Sequence, residues 1–331
     1  MGVLGAVISH PIWAACSLVL AVALWARRWR RWSPGTCPVD LSGKTAVVTG
    51  ANSGIGKFVA LDLARRNART ILACRSLERG QAALEEIRRA TGNPQVQLRI
   101  LDTSSMASVR DFAQRFLEEE KRLDILVNNA GASGLPHTVT AEGLELTFAT
   151  NFLGPFLLTN LLLDAMKASA PARIVNVSSF MHYWGNLDLK FLTGEEPLKN
   201  RSHVYNSTKL MNVVFTAELD RRLRGTGVSV NALHPGVIKT EIMRYYSWWH
   251  RLLYSILGFL FLKGPREGAT STLYCAVSKE VEGISGKYFD SDCSLALPLA
   301  LAEDPAVGRK LWEASEKLTG LGRRGPQVGD K

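Results

Sequence analysis

Thr45-Ala-Val-Val-Thr49-Gly50-Ala-Asn52-Ser53-Gly54-Ile55-Gly56 is the stretch that decides the fold. A β-branched apolar run stops at a cluster of glycines, and an amphipathic segment follows. Glycine suits that junction because the chain must turn sharply, and a backbone without Cβ can approach a bound pyrophosphate closely. The helix beyond it would offer free N–H groups and the positive end of its dipole to the same anion. The stretch therefore reads as the first strand–turn–helix unit of a nucleotide-binding sheet.

Working outward, short apolar runs recur at 70–74, 96–101, 125–128, 173–177 and 228–233, with helical patterns at about 55–66, 78–91, 105–120, 143–168 and 204–224. The runs are continuous rather than alternating, as in a parallel sheet covered on both faces. Repeated βα units with right-handed crossovers predict an α/β fold, a doubly wound parallel sheet in a Rossmann-like three-layer sandwich. We expect a single domain at 39–318, within which about 241–264 stands out as an aromatic, apolar stretch. The domain would be preceded by a hydrophobic anchor at 1–32 and a linker at 33–38, and followed by a basic tail at 319–331.

The chain has 331 residues, 46% of them hydrophobic, which excludes a disordered chain, a collagen-like repeat and a small disulfide scaffold. Cys16, Cys37, Cys74, Cys275 and Cys293 are scattered, with no C-x-x-C pair. That excludes a zinc ribbon or a disulfide framework and fits a reducing compartment; no metal site is expected. The net charge of +10 sits largely at the ends: residues 1–36 carry four arginines and no acid, and the tail adds a further +2. The body is left with an ordinary surface, so nucleic acid is not an expected partner.

Residues 2–26 carry no Asp, Glu, Lys or Arg, and Arg27, Arg28, Arg30 and Arg31 follow, interleaved with Trp25, Trp29 and Trp32. About 20 apolar residues span a bilayer as a helix; basic residues mark the cytoplasmic flank, and tryptophan favours the headgroup level. A cleavable signal would carry its charge in front of the apolar run, so the order predicts an uncleaved membrane anchor with a cytosolic body. An interfacial hairpin and a cleaved import sequence are the alternatives. The endoplasmic reticulum is the expected membrane, with mitochondria and lipid droplets behind it. The glycosylation patterns at Asn176, Asn200 and Asn206 would stay unmodified on a cytosolic body.

Tyr205 and Lys209 stand four apart, on one face of a helix. A phenol titrates near 10, so acid–base work near neutrality needs a drop of about 3 units, or about 4 kcal/mol. An ammonium about 4 Å away at an effective dielectric near 20 supplies that much.

The glycine turn has the spacing T-G-x-x-x-G-x-G. It is followed in order by Asn128-Asn129-Ala130-Gly131, Asn151, Val177-Ser178-Ser179, Tyr205-Asn-Ser-Thr-Lys209 and Pro235-Gly236. This set resembles the short-chain dehydrogenase/reductase family over about residues 40–290. The resemblance implies that Tyr205 exchanges a proton with the substrate oxygen, and that Lys209 lowers its pKa and holds the nicotinamide ribose. It implies that Ser179 hydrogen-bonds the substrate oxygen, with Ser178 as the rival, and that Asn151 holds a relay water or braces the sheet. Thr208 replaces the commoner serine before the lysine.

The coenzyme site implied is Gly50, Asn52, Ser53, Gly54, Ile55 and Gly56 at the turn, Asp102 and Thr103 beside the adenine, and Asn129, Ala130 and Gly131 along the adenosine side. Tyr205, Lys209, Pro235, Gly236, Val237 and Thr240 complete it. The second strand ends in Arg75 rather than a carboxylate. A guanidinium binds a 2′-phosphate that a carboxylate would repel, so NADP(H) is expected over NAD(H). The aromatic stretch 245–262 resembles the family's substrate lid, with a plain core helix as the alternative.

Ala73-Cys-Arg-Ser, Asn151-Phe-Leu-Gly-Pro-Phe-Leu-Leu-Thr, Ser285-Gly-Lys-Tyr-Phe and Leu311-Trp-Glu-Ala-Ser are similar to the retinol dehydrogenase branch, which reduces retinal with NADPH. The expected substrate is a lipophilic alcohol or aldehyde, retinol/retinal first. A steroid or other lipid carbonyl is the second reading, and a catalytically silent cofactor-binding membrane scaffold the third. A homodimer is a further candidate assembly.

Overall fold

The structure, a computed structural model, describes residues 32–136, 138–187, 201–238 and 263–321. The expected anchor (all but Trp32), Thr240, most of the expected lid and most of the tail lie outside the described residues, as does Asn200.

The first strand, β1 (Thr45–Thr49), runs into α1 (Gly54–Arg65), followed by β2 (Arg69–Cys74), α2 (Leu77–Thr91), β3 (Gln97–Ile100), α3 (Met106–Glu119) and β4 (Ile125–Asn128). A helical run opens at Leu146–Phe148, passes through a π-turn at Ala149–Leu153 and continues as α4 (Gly154–Ala168). Next come β5 (Ala172–Val177), α5 (Arg201–Leu223), β6 (Val228–Leu233), α6 (Pro265–Val277), β7 (Tyr288–Phe289), β8 (Leu295–Ala296) and α7 (Pro305–Thr319). The eight strands are ordered β3-β2-β1-β4-β5-β6-β7-β8, parallel except for β8. The doubly wound parallel sheet is therefore present. The chain winds outward from β1 to β3, then returns to add β4 beside β1. That reversal opens a crevice at the carboxyl ends of the two strands, where ligands bind in open α/β sheets.

Each face of the sheet buries its own apolar cluster. Phe112, Phe116, Phe152, Phe156, Phe215 and Trp312 lie with α3, α4, α5 and α7 on one side; Val59, Leu63, Ile87 and Leu273 lie with α1, α2 and α6 on the other. Trp312 meets Phe156 edge-on at 5.1 Å and takes the Arg222 guanidinium over its ring at 4.0 Å. Among the described residues one helical run, Leu146–Ala168, is long and apolar enough to cross a membrane, but 72% of its apolar window is buried. It is a core helix.

Two departures from the sequence reading concern packing. The predicted helix over 143–168 is interrupted by the π-turn. There Gly154 passes so close to β3's following loop that a Cβ would collide with the Thr103 carbonyl. The stretch expected as a linker is docked: the Arg66 guanidinium donates to the carbonyls of Pro34 (2.8 Å), Cys37 (2.6 Å) and Val39 (3.2 Å), and Trp32 packs edge-on against Tyr274 at 5.4 Å.

Candidate active site

The glycine turn is held in place from beneath. Gly50 (φ +66) and Gly54 (φ +56) occupy left-handed backbone that favours glycine. A Cβ on Gly56 would lie 2.6 Å from the Gly50 carbonyl oxygen and collide with the Asn129 amide. Thr49 Oγ1 accepts from the N–H groups of Asn129 and Ala130, each at 2.9 Å, while Asn129 Nδ2 donates to the Thr49 carbonyl at 2.9 Å. Asn129 thus clamps the loop after β4 to the loop after β1, and its functional contribution begins with that clamp. Gly56 lies under the turn and does not line the cleft.

A cleft of about 490 Å³ opens above these loops. Its wall includes Gly50, Asn52, Ser53, Gly54, Ile55, Arg75, Asp102, Thr103, Asn129, Ala130, Gly131, Ser179, Tyr205, Lys209, Pro235, Gly236 and Val237. The sequence-predicted residues are therefore gathered into one space, apart from Gly56, Asn151 and Thr240.

Ser53 begins α1 without a side-chain capping bond, whereas Ser76 and Ser105 accept from the backbone of the first turns of α2 and α3 at 3.3 and 3.2 Å. The start of α1 thus has no cap from Ser53, and Ser53, Gly54 and Ile55 line the cleft, where an anion site would draw on free N–H groups. At the far end Arg75, with 58% of its side chain exposed, stands 4.0 Å from Asp102. Asp102 Oδ1 also accepts from the Ser104 amide and hydroxyl, at 2.9 and 2.7 Å. Arg79, which the sequence reading passed over, lines the same end. Its sequence position gave little signal, since a cation in the first turn of a helix is simply unfavourable with the dipole.

At the other end the two serines separate. Both line the cleft, but Ser178 is buried with its hydroxyl committed to the Lys209 carbonyl at 2.7 Å, while Ser179 is more open and accepts from the Met181 amide at 3.2 Å. Tyr205 and Lys209 share one face of α5, with Lys209 Nζ 5.7 Å from the tyrosine ring centroid. Lys209 is only 4% exposed and donates to the Val177 carbonyl at 2.9 Å. Burial alone lowers its pKa to about 8. A buried cation with one carbonyl partner and no acidic neighbour among the described residues suits a hydroxyl-bearing ligand that supplies further acceptors.

Asn151 sits behind the cleft wall, in the π-turn. Its Oδ1 accepts from the Ala132 amide at 2.8 Å, and its Nδ2 donates to the Ala132 carbonyl at 2.9 Å and to Thr208 Oγ1 at 3.2 Å. Its side chain therefore braces the loop after β4. The same cleft is also lined by apolar Leu135, Phe180, Met181 and Ile238; only Ile238, next to the Pro235–Gly236–Val237 turn, carried a sequence signal beyond ordinary hydrophobicity.

The comparisons agree with this geometry. The family model described as short chain dehydrogenase matches residues 44–250. The chain belongs to the short-chain dehydrogenase family. It is 47% identical over 293 residues to human Retinol dehydrogenase 13, covering 87% of this chain and 88% of that one. It is 46% identical to human Retinol dehydrogenase 11, with 87% and 90% covered. Human Dehydrogenase/reductase SDR family member 13 is 47% identical over 287 residues, with 86% and 75% covered.

A solved Mycobacterium paratuberculosis protein superposes with a TM-score of 0.69 at 33% identity, covering 88% of this chain and 98% of that one. A Beutenbergia cavernae structure described as a NAD(P) dependent gluconate 5-dehydrogenase with bound NADP gives 0.62 at 25%, with 77% and 97% covered. The chain is an oxidoreductase of the retinol dehydrogenase branch, and its coenzyme is a nicotinamide dinucleotide.

Proposed function

We propose that the protein interconverts a lipophilic alcohol and its carbonyl compound with NADP(H), retinol and retinal being the first candidates, at a cytosolic face of the endoplasmic reticulum membrane. The observation that carries this reading is the convergence of Ser179, Tyr205 and buried Lys209 in the cleft that also receives the uncapped start of α1. The coenzyme would supply or accept a hydride at the carbon bearing the substrate oxygen. Gly50 to Ile55 and the α1 N-terminus would hold its pyrophosphate, Asp102 and Thr103 its adenine side, and Lys209 a ribose.

Ser179 Oγ would donate to the substrate oxygen. Tyr205 Oη would give that oxygen its proton during reduction and take it during oxidation. Lys209, kept cationic below about pH 8, would stabilise the phenolate form of Tyr205. Asn151, through Ala132 and Thr208, would keep the opposing wall in place. Arg75 and Arg79 favour NADP(H): two guanidinium groups at the ribose end suit a 2′-phosphate. Relatives named retinol dehydrogenases, with the apolar residues lining the cleft, support a retinoid.

A panel of retinal and steroid carbonyls, each with NADPH and NADH and followed at the reduced-nicotinamide absorbance band, tests the reading. Turnover of retinal with NADPH is expected. Rapid steroid reduction without retinal turnover would move the assignment to a steroid, and no turnover of any carbonyl would return it to a scaffold.

A further inference from the structure

His234 directly follows β6, immediately before the Pro235–Gly236–Val237 turn that lines the cleft. Its Nδ1 accepts from the Gly236 amide at 3.1 Å, and its Nε2 stands 3.0 Å from the Asp290 carboxylate. Only one tautomer fits both contacts: the neutral ring with its proton on Nε2, donated to Asp290. The ring is walled by Tyr288 at 6.1 Å and Phe180 at 6.2 Å, and its side chain is 13% exposed. Gly236 has φ +95, backbone that the following chain must be held in. Lys263 ties the same corner by donating to the Ser291 carbonyl at 3.0 Å and, through its own amide, to the Val237 carbonyl at 3.0 Å.

We propose that His234 is a positioning residue. Its neutral imidazole is strung between Asp290 and the Gly236 amide, so that the turn presents a single shape to the coenzyme. The assignment rests on the cleft's role as a dinucleotide site. Protonation would place a second N–H on Nδ1, facing the Gly236 N–H, and break the bond that holds the turn. Charged and titratable groups reach this ring from every side: Asp290 and Asp292 after β7 favour the cation, while Lys263 before α6 opposes it. His182, on the turn after β5, would repel it if charged. Burial dominates and keeps the ring neutral below the ordinary histidine range. Dinucleotide affinity therefore falls as pH drops through a value below about 6.5.

The test measures dissociation constants of NADPH and NADH on the full chain by nicotinamide fluorescence between pH 5 and 8. It compares wild type with His234→Asn, whose amide oxygen stands near Nδ1, and His234→Gln, whose amide reaches toward Nε2. The glutamine variant is expected to bind both dinucleotides about fivefold to tenfold more weakly at pH 7.5, the worth of one backbone hydrogen bond. The asparagine variant is expected to stay within about twofold and to lose the acid limb.

Asp290→Asn removes the carboxylate that favours the cation, so it should shift the limb to lower pH; this comparison carries the test if the glutamine variant does not fold. Equal weakening by Asn and Gln would overturn the proposal. So would an acid limb seen with NADPH but not NADH, which would belong to the coenzyme's own phosphate. A wild type that binds neither dinucleotide would overturn the coenzyme reading itself.

Discussion

At the scale of single residues, four side chains would divide the proposed chemistry. Tyr205→Phe removes the hydroxyl proposed to exchange a proton with the substrate oxygen. Turnover is expected to fall by at least three orders of magnitude while NADPH fluorescence binding is unchanged. Unchanged turnover would remove the assignment. Lys209 would carry the pH dependence of the proposed reaction. Its pKa is depressed from the ordinary lysine value to about 8 by burial, so the ammonium is present below that pH and lost above it. With the coenzyme varied, kcat/KM, which reports the free enzyme, is expected to fall as pH rises through about 8. A flat profile to pH 10 would show that the lysine charge is not used. Arg75→Asp is expected to raise the NADPH dissociation constant at least tenfold more than that of NADH, and Arg79→Ala to do so more weakly.

At the scale of elements the π-turn ahead of α4 makes a strict demand on sequence. Gly154 lies against the Thr103 backbone, which cannot move aside as a flexible side chain can. Gly154→Ala is therefore expected to cost about 3 kcal/mol or more, read as a drop in denaturant midpoint, and to displace Asn151 from its contacts with Ala132. A variant as stable as wild type would contradict that packing.

The same region shows what a sequence can disclose. The strands from β1 to β6 and the helices from α1 to α5 were legible because each is a long apolar run or a periodic face beside a glycine or serine boundary. β7 and β8 have two residues each, too few for a period; β7 exists because Ala232 and Leu233 of β6 offer it an edge, and β8 because β7 in turn offers one. Within the candidate site, residues whose type is dictated by chemistry, such as Gly50, Tyr205 and Lys209, were legible as positions that the fold gathers into the cleft. The site was illegible where the role comes from packing: Asn129 clamping Thr49 and Phe180 lining the cleft are decided by neighbours distant in the chain, whereas bracing was one of the two readings for Asn151, which turns inward against Ala132.

For the whole molecule, the buried polar layer bears on where the body folds. Asn176 is 2% exposed, donates to Thr216 at 2.9 Å and accepts from Asn128 at 2.9 Å, and Asn206 is also buried. Neither can carry a glycan in this fold. Expression of the full chain in a eukaryotic cell, followed by glycosidase digestion, is expected to give no mobility shift from Asn176 or Asn206. A shift that disappears in Asn176→Gln would contradict both the burial and a cytosolic body.

The docked segment Pro34–Val39 has a different consequence. If residues 1–31 are seated in a bilayer, Arg66 and Tyr274 leave almost no slack between that bilayer and the enzyme. The reach of the cleft is then fixed by the body's own surface rather than by a swinging leash. Inserting a short Gly-Ser spacer before Trp32 would restore free tumbling, and it would be felt first by substrates dissolved in the lipid rather than in water.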